Sequence, residues 1–141
     1  MSEGKGEFEA AHIPDGMGAI RELQQALAQR DKAAIRDVLE KIQRLIHGDS
    51  KIKWITPPRD GDVEELLRTG STTIYVGTGT AGHRAFIEGN RLFMSENEDS
   101  DRYGARFFRD NFRKAFGIAE GGELEVFFSS EQGQEGNRKE D

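Results

Sequence analysis

The sequence predicts a small α+β protein in which an N-terminal helical hairpin is followed by a small, mostly antiparallel sheet of about four to five strands covered by helices, in the order ααβαβββαβ. Three observations predict it. Apolar residues recur at helical spacing through residues 15–47, short β-branched and aromatic runs occupy residues 72–95, and Gly89-Asn90 separates two of those runs as a two-residue hairpin turn does. A length of 141 residues fits one domain.

Asp15 is placed to cap a first helix running to about Arg30, with Ile20, Leu23 and Leu27 on one face. Asp31 opens a second helix. There Ile35, Val38, Leu39, Ile42, Leu45 and Ile46 form one apolar stripe, and Gly48 is a natural stop. The next segment, Lys51 to Thr56, reads as a strand ended by Pro57-Pro58. Asp60 or Asp62 caps a short helix carrying Val63, Leu66 and Leu67, stopped by Gly70. Thr72 to Val76 is a strand by propensity, and residues 77–82 form a glycine turn. His83 to Glu88 and Arg91 to Ser95 make the hairpin. A last helix is expected from near Asp99 or Ser100 to Gly117, and Glu123 to Phe128 closes the sheet with Leu124, Val126 and Phe128 facing the core.

The domain is expected over residues 15–128, with acidic tails at 1–14 and 129–141 too poor in apolar residues to order. The net charge of −6 is uneven: residues 1–16 carry −3 and residues 117–141 carry −5, leaving residues 17–116 at +2. With no cysteine, disulfides, thiolate metal sites and cysteine nucleophiles are excluded. Neither a signal peptide nor an apolar run long enough to span a bilayer is visible, so a cytoplasmic location without membrane association is expected. His12, His47 and His83 lack the spacing of a helical metal site, and no metal or cofactor is expected.

The predicted last helix carries the densest signal. Arg102, Arg106, Arg109 and Arg113 fall at i, i+4, i+7 and i+11, while Ala105, Phe108, Phe112 and Phe116 mark a different, buried face. Four aligned guanidinium groups repel one another unless something negative lies against them. The partner is either internal, from the acidic tail or Glu22, Glu40 or Glu64, or an external anion: nucleic acid, a phosphorylated ligand or an acidic protein surface. The loop glycines Gly77, Gly79 and Gly82 match a G-x-G-x-x-G pattern, which a plain turn explains and an anion-binding loop of backbone N–H groups also fits.

Two resemblances touch this stretch. Tyr75-Val76-Gly77 followed by Arg84 resembles the second motif of GIY-YIG endonucleases, which implies a metal-dependent site using Tyr75, Arg84 and a later glutamate; no first motif with its tyrosine stands upstream. Tyr75-Val76-Gly77-Thr78 with Asp101-Arg102-Tyr103-Gly104 resembles the tyrosine-containing segments of some ADP-ribosyltransferases, with Glu123 or Glu125 as the late glutamate; Val76 stands where that family has a histidine. The catalytic candidates are therefore Tyr75, Arg84 and Glu125. The leading expectation is a non-enzymatic binding or regulatory module holding an anionic partner on the arginine face. The alternatives are a small enzyme of one of those two kinds, and an inhibitor or immunity-type protein acting through protein–protein contact.

Overall fold

The computed structural model describes residues 14–52, 55–78, 83–95 and 105–128. Their order is α1 (Asp15–Gln29), α2 (Lys32–His47), α3 (Asp60–Thr69), β1 (Ser71–Tyr75), β2 (Arg84–Glu88), β3 (Arg91–Met94), α4 (Ala105–Phe116) and β4 (Glu125–Phe127). The two expected tails, apart from Pro14, and the expected start of the last helix near Asp99 lie outside the described residues.

Helices α1 and α2 form the expected hairpin, joined by two residues. Arg30 adopts a left-handed conformation (φ 53°, ψ 38°) that ends α1. Asp31 then caps α2 by accepting a hydrogen bond from the Ala34 N–H at 3.2 Å. Asp15 lies inside the first turn of α1, while Pro14 holds the cap position without a side-chain bond. At Gly16, a Cβ would meet the Phe116 ring and the Ala115 carbonyl oxygen, so α1 and α4 approach backbone to side chain there.

The sheet is an antiparallel meander in the order β1-β2-β3-β4, with α4 inserted between β3 and β4. Register pairs Tyr75 with Arg84, Phe86 with Phe93, and Phe93 with Glu125. Because strand side chains alternate, one face carries Ile74, Ala85, Ile87, Leu92 and Met94 into the core against the helices. Leu124 and Phe128 are buried there as expected, with Val126 packed partly against them.

One expected strand is absent. Lys51, Ile52, Ile55 and Thr56 lie outside any strand, so the order among described residues is αααβββαβ and the sheet has four strands. The physical reason is a side chain that replaces a ladder. Buried Gln43 donates both amide hydrogens from Nε2, to the Thr56 carbonyl at 2.7 Å and the Tyr75 carbonyl at 2.6 Å. The segment is thus tied to the free edge of β1 at one point, and Pro57 and Pro58 have no N–H to extend the pairing.

Candidate functional site

The glycine loop is built by packing at its first residue. Gly77 is buried, and a Cβ there would come within 2.9 Å of both His83 and Phe108. His83 is 0% exposed and sets its ring edge-on against Phe108 at 5.1 Å. The Thr78 N–H (3.1 Å) and hydroxyl (2.6 Å) both reach His83 Nδ1, which must therefore accept and carry its proton on Nε2. His47 Nδ1 donates to the Val76 carbonyl at 2.8 Å and its ring stacks on the other side of this joint, 5.8 Å from Phe108. Both histidines thus lock α2, β1 and α4 together. Gly79 and Gly82 lie outside the described residues, as does His12.

The helix arginines do not form one solvated face. Arg102 lies outside the described residues. Arg106 is exposed, whereas Arg109 is only 6% exposed, and each already has a partner. Arg113 is half-buried, donates from Nε to the Gly122 carbonyl at 3.2 Å and lies 3.6 Å from the Asp110 carboxylate. The glutamates considered as internal partners are engaged elsewhere: Glu22 with Lys41, Glu40 with Arg44, and Glu64 with Lys32.

The catalytic candidates lie together on the face of the sheet turned away from the core. Tyr75 and Arg84 are direct cross-strand neighbours at a position where the ladder makes no backbone bonds, which brings side chains close. Glu125 stands two strands from Arg84 and three from Tyr75, roughly 10 Å and about 14 Å across the sheet, and one side-chain pair further along, opposite Phe93. It accepts a 2.7 Å hydrogen bond from Arg91 Nε. That bond, with a smaller contribution from Glu123, holds its carboxyl below the usual carboxylate range. A group whose folded value lies below its unfolded one contributes stability above the ordinary carboxylate range. The contribution is lost as pH falls through the lowered value. Glu125→Gln should therefore flatten this part of the acid-stability profile, read as urea midpoints between about pH 6 and about pH 3. An unchanged profile would mean the Arg91 pair contributes nothing.

The same face holds what the sequence reading passed over. Phe86 and Phe93, opposite each other on the two central strands, pack with ring centroids 5.4 Å apart. Arg91 lies over Phe93 at 3.9 Å, and Arg84 over Phe86 at 5.6 Å. Phe127, beside Arg91, is 59% exposed. The two arginines differ. Arg91 is neutralised by Glu125, whereas Arg84 has no carboxylate partner among the described residues, and its buried Nε has no hydrogen-bond partner. The period-two alternation gave a signal for this face. It sets Ala85, Ile87, Leu92 and Met94 on one face against Arg84, Glu88 and Arg91 on the other, with Phe86 and Phe93 standing among the charges.

Two shallow grooves flank α2, one of about 300 Å³ lined by Pro14, Leu45, Asn111 and Lys114 among others, the other of about 390 Å³ lined by Asp37, Glu40, Lys41, Arg44 and Leu45. Neither contains a candidate residue. Among the described residues no group of three or more histidine, aspartate or glutamate side chains is placed to hold a metal ion, and no helix is long and apolar enough to cross a membrane. No protein-family model, curated protein or solved structure matches the chain.

Proposed function

We propose that the chain is a non-enzymatic binding module whose sheet face takes an acidic protein segment. The observation that carries this reading is Arg84: a cation laid over Phe86, beside Tyr75, with no carboxylate partner among the described residues. Tyrosine, phenylalanine and arginine are the residues that protein interfaces concentrate, and lysine and aspartate are the ones they deplete. Tyr75, Arg84, Phe86, Arg91, Phe93 and Phe127 form such a set; of the carboxylates on this face Glu125 is already paired, and Glu88 stands at the far end of β2 from Arg84. A carboxylate set against the terminal nitrogens of Arg84 gains a charge-assisted hydrogen bond, and the rings beside it supply apolar area. This keeps the anionic partner expected from the sequence and moves its seat from the arginine helix, where Arg109 is buried, to the sheet.

The test is selection from a random-peptide library on the wild-type chain. Enriched peptides should carry carboxylates, and Arg84→Ala should weaken them about tenfold or more, the worth of a hydrogen bond to a charged group. The Phe86→Ala and Phe93→Ala variants should weaken them as well. Peptides that bind Arg84→Ala as tightly as wild type would defeat the proposal. Binding of oligothymidylate through Arg84, with no peptide selected, would replace the acidic protein with a nucleic acid.

A further inference from the structure

The two edges of the sheet are not protected equally. In β1 the ladder to β2 uses Ile74 and Val76, so Ser71, Thr73 and Tyr75 turn their backbone groups outward. That edge is partly guarded: the Tyr75 carbonyl accepts from Gln43 at 2.6 Å and the Ser71 N–H donates to the Thr69 hydroxyl at 3.1 Å, on either side of Thr73, whose outward backbone groups find no partner among the described residues but whose strand is flanked by α3. In β4 the bonds from Met94 to Leu124 and from Phe128 to Asn90 show that the core-facing residues again make the ladder, so the backbone groups of Glu125 and Phe127 face outward. The Glu125 N–H turns back onto the Glu123 carbonyl at 2.9 Å. The N–H and carbonyl of Phe127 find no partner among the described residues, and the Phe127 side chain is largely exposed beside them.

Sheet edges are normally blunted with lysine, proline, an inward charge or a cover, because a bare edge recruits another strand. β4 has no lysine or proline, and its single charge, Glu125, is neutralised by Arg91. We infer that β4 is a self-association edge, at which a second copy of this chain pairs antiparallel about a two-fold axis passing between the two Phe127 residues. A second copy is the occupant that the groups themselves select. Phe127 presents one donor and one acceptor side by side, and a two-fold operation supplies the matching acceptor and donor from the same residue. The operation also sets Phe127 against its symmetry mate on the outer face, an aromatic cross-strand pair in line with Glu88 and Arg91 and one side-chain pair along from the row of Phe86, Phe93 and Glu125. With Glu125 compensated, no uncancelled charge on β4 opposes the approach. The inference does not rest on the acidic-segment reading, whose centre is Arg84.

Sedimentation velocity over a wide range of protein concentration tests it. The wild type should pass from monomer to dimer as concentration rises. Phe127→Pro removes the outward N–H and leaves the β3–β4 bonds, which use neighbouring residues, intact; Phe127→Glu sets two carboxylates face to face. Each should weaken dimerisation at least tenfold, with Phe127→Tyr close to wild type and thermal midpoints confirming that all three fold. Should the proline variant fail to fold, the glutamate variant decides alone. A wild type that stays monomeric throughout would overturn the inference, as would a dimer that Phe127→Glu leaves intact. The Arg84→Ala variant should dimerise normally, which separates this result from that of the peptide selection.

Discussion

Phe112→Ala is expected to destabilise the fold by about 3–5 kcal/mol, the cost of a buried aromatic truncation that leaves a cavity. Phe112 is 0% exposed, sits at the centre of α4's inner face and packs against Phe116 with ring centroids 4.8 Å apart. Helix α4 packs against α1 and α2, and the close approach at Gly16 leaves little freedom for α4 to slide into the space vacated. Partial collapse is therefore unfavourable, and the cost should fall toward the upper part of that range. Phe127→Ala is the control: with its ring largely in water, it should change stability by no more than about 0.5 kcal/mol. Urea denaturation of both variants, in dilute solution where the monomer dominates, checks the pair. A loss for Phe112→Ala under about 1 kcal/mol would mean the inner face of α4 has been misassigned.

Much of this architecture is legible in the chain because several local signals agree. The stripe from Ile35 to Ile46 has a helical period, Asp31 supplies the cap at one end and Gly48 the stop at the other, and α2 runs between them. The Gly89-Asn90 hairpin is equally explicit, since the turn needs a residue at positive φ and Gly89 adopts 64°. The arginine pattern on α4 is a different case. Its spacing places the guanidinium groups in angle around the helix. The depth at which Arg109 sits is set by what packs around the helix, and its burial is a tertiary fact. The sheet face is a milder case. The charges Arg84, Glu88 and Arg91 already mark it as the outer one, and what period two leaves open is that Phe86 and Phe93 stand among them as an aromatic pair.

Lys51 to Thr56 misled for the most instructive reason, and it yields the second large effect. Its lysines, isoleucines and tryptophan suit a strand, yet Ile52 packs against the core and Thr56 is held by a glutamine from α2. Gln43, at 3% exposure, is the donor for two carbonyl oxygens that no backbone N–H serves, those of Thr56 and Tyr75. Gln43→Leu keeps the volume and removes both hydrogens. Each stranded acceptor costs about 1–3 kcal/mol, so a loss of about 2–4 kcal/mol is expected. Gln43→Glu is nearly isosteric and should be worse at neutral pH, about 3–5 kcal/mol, because an unpaired carboxylate would be buried against two carbonyl oxygens. The two variants separate on acidification. The protonated glutamic acid regains one O–H donor, and its folded-state value is raised, so the folded protein binds the proton more tightly than the unfolded chain does. The stability of Gln43→Glu should therefore recover relative to Gln43→Leu as pH falls from about 7 to about 5, the range in which a buried carboxyl titrates. Denaturant midpoints for wild type and both variants at the two pH values are the measurement. Equal losses at both would show that Gln43 acts by packing alone, and a loss under about 0.5 kcal/mol for Gln43→Leu would show that water serves those carbonyls as well as the amide does.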